Sequence, residues 1–410
     1  EEWGVEADNV RHHWEKVIGR SRTVAGNLNK GIHGLFKKNK ITHIEGHAKI
    51  TKAGPPATIE IHDKPDHVAQ TVTARHVMIA TGAAPRELPF APFDGKDIIA
   101  SKEAMTLTEQ PKRLVVIGAG AIGMEFAYFY NAFGTEVTVI EMLDRVVPNE
   151  DSDVSKAVAK AFKRQGIDCR TGLKTTAIEK TDEGMKVTVA SVNDEKKTES
   201  LVGDKVLVAI GVRGRFDGLF GEGVEVEQYK DHIKVDRETY ATSVKGLYAV
   251  GDVIGPPWLA HVASEEAIVC VERSAGHEVT PVDYRGVPAC TYCQPQIASV
   301  GRTEDALKAE GKKQGDDYLV GQFPFQASGK AQAIGNTAGF VKLITDAKYG
   351  EILGAHMVGE NVTEMIAEIG LAMRLEATAE EVIATMHAHP TLSEAVHEAA
   401  LGSDGRMIHF

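Results

Sequence analysis

The sequence predicts an α/β protein with two nested dinucleotide-binding domains and a C-terminal α+β domain. Three observations carry that prediction. A strand–glycine turn–helix unit lies at Leu114–Phe133. Two further strands end in glycine turns on either side of it, at Thr81-Gly82 and at Gly251-Asp252. After Pro281 the pattern changes to alternating strands with two helices. A glycine turn after an apolar strand is the Rossmann-like signature, and one such domain inserted in another gives this order.

Taken in order, Val10, Trp14, Val17, Ile18, Ser21, Val24, Leu28, Ile32, Leu35 and Phe36 recur at three- and four-residue steps. That spacing predicts an amphipathic helical region with a break near Gly31. Short strands are expected at 41–50, 57–61 and 76–80, the last running into Ala80-Thr81-Gly82-Ala83-Ala84-Pro85. Pro85, Pro89 and Pro92 then stiffen an extended crossing, the first candidate domain boundary. Leu114–Ile117 is a continuous apolar strand, 124–133 a helix and Glu136–Ile140 a second strand, together a βαβ unit. A helix at 152–165 and strands at 186–190, 205–210 and 246–250 follow. The C-terminal helices are expected at 362–374 and 393–401.

Composition narrows the function. The 410 residues are 43% hydrophobic and 25% charged, ordinary for a globular chain, and the 40 glycines suit close backbone approaches. A net charge of -12 argues against nucleic acid and anionic membranes, which require a basic face. No apolar run approaches the length of a bilayer span. The four cysteines, Cys169, Cys270, Cys290 and Cys293, are too few for a disulfide scaffold of this size. Cys290-Thr291-Tyr292-Cys293 has CxxC spacing, yet no second pair completes a metal set, so both are expected to pack as small hydrophobes.

Gly118-Ala119-Gly120-Ala121-Ile122-Gly123 lies between strand and helix, the context that makes this fingerprint specific. The first glycine permits the turn, the second lets the backbone approach a pyrophosphate, and the third allows helix–strand packing. Glu141 closes the next strand, 18 residues after Gly123. A carboxylate there binds ribose hydroxyls and repels a 2′-phosphate, so NAD is favoured over NADP. At Gly251-Asp252 the aspartate could bind a hydroxyl-rich chain such as ribityl, and the following helix could aim its N-terminus at a ring. Near the C-terminus, His389 precedes Glu394 by five residues across Pro390. A carboxylate that fixes an imidazole tautomer suits general acid–base work near neutral pH. A plain His-Pro turn with Ser393 capping a helix is the competing reading.

These segments in this order resemble the pyridine nucleotide–disulfide oxidoreductase family. The likeness runs through essentially the whole chain: Ala80-Thr81-Gly82-Ala83-Ala84-Pro85-Arg86, the Gly118 fingerprint with Glu125, Gly251-Asp252, Leu259-Ala260-His261, Cys290 to Gly301, Gly354-Ala355-His356-Met357-Val358-Gly359 and His387 to Glu394. The resemblance implies FAD at Ala48, Thr81, Gly82, Asp252 and Ala260, and NAD at Gly118, Gly120, Gly123 and Glu141. It implies Glu125 and Gly211 near the nicotinamide, with His389 and Glu394 as the acid–base pair. The implied domains are 1–100 (FAD), 101–227 (NAD), 228–285 (FAD, second segment) and 286–410 (dimerisation), in a homodimer where His389 reaches the other subunit's flavin site.

The family also begins with another strand–GxGxxG–helix unit and a redox cysteine pair separated by four residues. Neither occurs in these 410 residues, so an N-terminally truncated sequence is expected, inactive on its own. Within the family the resemblance favours the branch that oxidises protein-bound dihydrolipoamide through a disulfide and FAD to NAD. Its partners would be the lipoyl-bearing subunits of 2-oxo acid dehydrogenase complexes or of glycine cleavage. The alternatives are another NAD-linked flavoprotein disulfide reductase, of the mercuric or glutathione reductase kind, and a non-catalytic dimeric scaffold. A cytoplasmic location is expected, with an organellar one open because of the N-terminus. No metal is expected.

Overall fold

The computed structural model of the chain describes residues 4–410. The chain divides into two compact units. One runs to Arg86 and takes in Met105–Gln110 and Val212–Val282; the other comprises Glu87–Ala104, Pro111–Gly211 and Asp283–Phe410. The α/β class expected from the sequence, with a C-terminal α+β region, is the class observed.

In the first unit the helix Trp14–Lys38 is continuous, so the break expected near Gly31 does not occur. A glycine inside a helix costs only about 1 kcal/mol relative to alanine, which 25 residues of helix absorb. The helix buries none of its residues, and Leu28, Ile32 and Leu35 are at least half exposed. The first strand begins only at His47, not at Ile41; it pairs with Ala57–Lys64, which pairs in turn with His67–Ala74. Separately, Val77–Ile79 and Leu247–Ala249 run parallel, in the register Val77↔Leu247, Met78↔Tyr248, Ile79↔Ala249. Ile50, Ile59 and Ile79 share one apolar core with Leu247, Ala249 and Val253.

In the second unit a five-stranded parallel sheet runs in the order Ile98–Ile99, Lys205–Val208, Arg113–Ile117, Glu136–Ile140, Asp168–Arg170. Its central strands are buried on both faces, hence the unbroken apolar runs Leu114–Ile117 and Val206–Val208. The helices Ala121–Ala132 and Ser152–Arg164 follow two of these strands. A three-stranded antiparallel meander, Leu173–Thr181, Gly184–Ser191 and Asp194–Gly203, was foreseen only in its central strand. The C-terminal sheet is antiparallel, in the order Ala289–Thr291, Gln296–Gly301, Ile352–Gly359, Phe340–Asp346, Tyr318–Pro324. The helices Val362–Arg374, Ala379–Ala384 and Glu394–Ser403 share its core through Ile366, Val382 and Val396.

Candidate functional site

The parallel strand Arg113–Ile117 delivers the chain into Gly118, whose φ of 105° lies in the left-handed region. A Cβ there would stand 2.4 Å from the Ala209 carbonyl oxygen, and one at Gly123 would stand 1.9 Å from that of Gly118. Both positions therefore require glycine. Gly120 differs: nothing lies within 4 Å of its would-be Cβ, so the backbone there is open to a ligand. Gly120 is also the N-cap of the helix Ala121–Ala132, without a side-chain cap, which leaves the helix N-terminus facing an approaching anion.

Glu141 stands at the end of the next strand and turns its carboxylate onto the turn. Its Oε2 accepts the Ala119 N–H at 2.7 Å and its Oε1 the Leu143 N–H at 2.8 Å. Each oxygen keeps a second lone pair, so the group can brace the turn and still accept two ribose hydroxyls. Val147, which the sequence did not single out, holds the turn from behind through an N–H to the Ala119 carbonyl at 2.8 Å. It does so at φ 40°, a strained value for a buried β-branched residue. Ala209 donates its N–H to the Ile117 carbonyl at 2.7 Å, bringing the segment that leads to Gly211 alongside Gly118. Glu125, one turn into the helix, accepts the Tyr292 N–H at 2.8 Å, and burial pushes its carboxyl above the usual range. The open Gly120, the uncapped helix end and the spare lone pairs of Glu141 fit a nicotinamide dinucleotide.

In the first unit the parallel pair Val77–Ile79 and Leu247–Ala249 brings two glycine turns to one sheet edge. Thr81-Gly82 follows the first strand and Gly251-Asp252 the second; the Val250 N–H donates to the Ile79 carbonyl at 3.0 Å. Gly82 and Gly251 both have φ of 74°. Glu266, from the helix Ala260–Ser274, accepts the Gly251 N–H at 2.6 Å and so pins that turn to the helix. Burial raises the Asp252 carboxyl, with His232 acting in the opposite direction. A desolvated carboxylate gains from hydroxyl donors, which fits a ribityl chain. Ala260 begins a helix with no side-chain cap, whereas Ala48 is exposed on the separate three-stranded sheet. The edge holds Thr81, Gly82 and Asp252; Ala48 lies on another sheet of the same unit.

At the C-terminus the His389 Nδ1 lies 2.9 Å from the Glu394 Oε1. The His389 side chain is 78% exposed, so its other nitrogen is open to a reactant. Glu394 spends its second oxygen on the Thr391 N–H at 2.8 Å. Burial opposes the charged form of Glu394, but the Thr391 N–H and His389 hold its carboxyl below the usual range. Ser393 occupies the N-cap of Glu394–Ser403 without capping it, so the plain capped-turn reading finds no support. The imidazole is thus oriented by a carboxylate that is itself fixed.

The four cysteines are free thiols. Cys293 donates to the Pro295 carbonyl at 3.1 Å, and burial pushes its thiol up to about 12; burial also raises Cys290. Neither is poised as a nucleophile. No group of three or more potential metal ligands exists among the described residues, and no helix among them is long and apolar enough to cross a membrane.

This arrangement belongs to a recognised class. The pyridine nucleotide-disulphide oxidoreductase profile matches residues 4–267, and that family's dimerisation domain matches residues 287–400. The chain belongs to this family, whose cofactors are FAD and NAD. Among its relatives, the dihydrolipoyl dehydrogenase of Rhizobium etli is 43% identical over 98% of this chain and 84% of the relative. That of Bacillus subtilis is 40% identical over 100% and 86%, and the mitochondrial enzyme of Pisum sativum 38% over 99% and 79%. LpdA from Mycobacterium tuberculosis superposes with a TM-score of 0.86 at 26% identity, covering 97% of this chain and 84% of that one. The flavoprotein disulfide reductase RclA from Escherichia coli shares the fold, with a TM-score of 0.83 at 24% identity over 95% of this chain and 86% of that one.

Proposed function

We propose that this chain acts as a dihydrolipoyl dehydrogenase, oxidising a protein-bound dihydrolipoyl group and reducing NAD. The observation that carries the reading is the exposed His389 held by Glu394 at 2.9 Å, a base suited to a thiol proton. The net change is dihydrolipoamide plus NAD⁺ giving lipoamide, NADH and one proton. Bound FAD supplies the two-electron relay between dithiol and nicotinamide.

This chain's own part is to bind, orient and move protons. Gly118, Gly120 and Gly123 with the helix Ala121–Ala132 would cradle the NAD pyrophosphate, and Glu141 would hold the adenosine ribose. Glu125 and Gly211 would border the nicotinamide. Thr81, Gly82, Asp252 and Ala260 would hold the flavin dinucleotide, Asp252 through hydroxyl groups. Ala48, exposed on its own sheet, would join them only at the periphery. His389 takes the thiol proton, and Glu394 keeps its ring oriented and favours the imidazolium that forms. The partners would be a second copy of this chain, bound through 287–400, and lipoyl-bearing subunits. No pair among Cys169, Cys270, Cys290 and Cys293 has the four-residue separation of the family's redox pair, so no disulfide step is assigned to these residues.

A visible spectrum of the natural holoprotein tests the proposal. Its flavin band should bleach on adding dihydrolipoamide and recover on adding NAD. A flavin that stays oxidised with dihydrolipoamide but bleaches with NADH would favour the scaffold or sister-reductase reading instead.

A further inference from the structure

Within the single chain, few neighbours pack against the turn that carries His389. Between Ile383 and Thr391, residues 384–386 and 388–390 are all exposed, and Met386 is 95% exposed. An open groove lined by Met365, Glu368, Pro390, Thr391 and Leu392 runs between the helix Val362–Arg374 and the turn. One side chain in this stretch points inward. His387 is only 7% exposed; its Nε2 lies 2.6 Å from the Glu368 Oε1 and its Nδ1 2.9 Å from the Thr385 carbonyl.

The two contacts determine the chemical state of that ring. A backbone carbonyl and a carboxylate both only accept, so both ring nitrogens must donate, and the species this geometry holds is the imidazolium. We propose that His387, locked as an imidazolium between Glu368 and the Thr385 carbonyl, is the positioning residue that fixes the turn bearing the His389 base. The proposal rests on His389 being that base. Two histidine–carboxylate pairs then share one turn, an exposed one for proton transfer and a buried one as the anchor.

The groups facing His387 are Glu368 on the helix Val362–Arg374, and Glu394 and His397 on the helix Glu394–Ser403. His397 stands 5.4 Å away between ring centroids and directs its own Nε2 to the Ile383 carbonyl, so it does not replace Glu368. The hydrogen bond to Glu368 raises the His387 pKa against the opposing effect of burial. A raised imidazole pKa means that the anchor is complete below that pKa and fails as pH rises through it. Dihydrolipoamide oxidation should therefore lose rate on the alkaline side for a reason separate from His389.

Glu368→Gln, which keeps the shape and removes the charge, tests this in the holoenzyme. Expected are a fall of about tenfold in kcat for dihydrolipoamide and an alkaline limb moved down by about one pH unit. The KM for NAD and NADH turnover with an artificial acceptor should stay unchanged, and Glu368→Asp should recover part of the loss. Nitrogen-15 spectra of histidine-labelled wild type should show His387 protonated at both nitrogens at neutral pH. A neutral His387 in a protein that oxidises dihydrolipoamide, or a Glu368→Gln variant with unchanged rate and pH profile, would overturn this inference alone. A wild-type protein that cannot oxidise dihydrolipoamide would overturn the function and this inference together.

Discussion

On the proposed reading, single residues such as Glu141 and Gly123 decide the cofactor. Glu141→Ala would remove the proposed ribose acceptor together with the brace of Ala119. A hydrogen bond to a charged group contributes about 1.5–3 kcal/mol, so NAD affinity should fall roughly 10- to 100-fold. Discrimination against NADP should fall as well, and steady-state kinetics with both cofactors would check it; unchanged selectivity removes Glu141 from the site. Gly123→Ala places a methyl 1.9 Å from the Gly118 carbonyl oxygen, where backbone must move. We expect at least a tenfold loss of NAD binding by fluorescence titration, with melting at lower temperature. Both residues were legible in the sequence because the pattern is local: strand, turn, helix and next strand lie within the 28 residues Leu114–Glu141. Val147 and the His387–Glu368 pair were not legible. A strained φ has no composition signal, and Glu368 sits 19 residues from His387 on a different element.

At the scale of elements, the C-terminal sheet is tied to the parallel-sheet region by one buried lysine. Lys342, on the strand Phe340–Asp346, is fully buried, with its Nζ 2.9 Å from Asp151, 2.8 Å from Asp153 and 2.7 Å from Glu304. Asp151 is also the N-cap of the helix Ser152–Arg164 and accepts the Glu304 N–H. Removing one member of such a cluster leaves uncompensated buried charge, so Lys342→Met should cost about 3–5 kcal/mol in stability. Burial opposes the charged forms of Asp151, Asp153 and Glu304, yet Lys342 helps to hold all three below their usual values of 3.8, 3.8 and 4.5, joined by Lys156 at Asp153 and led by Lys308 at Glu304. Carboxylates lowered on folding contribute stability above about pH 4.5 that is lost as pH falls through the folded values. Melting temperature against pH should therefore drop steeply below 4.5 in wild type and less steeply in Lys342→Met; parallel curves would deny the cluster this role. Element legibility followed pattern strength. The helix Val362–Arg374 matched its expected bounds because its apolar spacing is clear. The strand Asp194–Gly203 escaped because DEKKTESLVG has no alternation, its first seven residues being exposed. Of the partners of Lys342, Asp151 lies 191 residues away and Glu304 38, beyond any periodicity argument.

At the scale of the whole molecule the proposed base, His389, lies far from the glycine turns in sequence. His389 lies within the region matching the family's dimerisation domain, and its other ring nitrogen faces solvent. On the proposed reading the flavin site that His389 serves belongs to a second copy. Sedimentation of the natural protein should show a dimer, with an interface above the standard size of about 1,600 Å². A fully active monomer would refute the shared site. This level of organisation was legible only through resemblance, since no local pattern says which surface a second copy covers.

The claim at the centre is that His389 takes the thiol proton, and His389→Gln measures it most directly. The natural holoenzyme and its variant should be compared in two assays, dihydrolipoamide to NAD and NADH to an artificial acceptor. General acid–base contributions are typically about 10²–10⁴-fold, so the first rate should fall at least 100-fold. The second requires no thiol proton and should hold. Glu394→Gln should cost less, and the double variant little more than His389→Gln alone, because the pair acts as one unit. A His389→Gln enzyme that keeps near-normal dihydrolipoamide turnover would contradict the account.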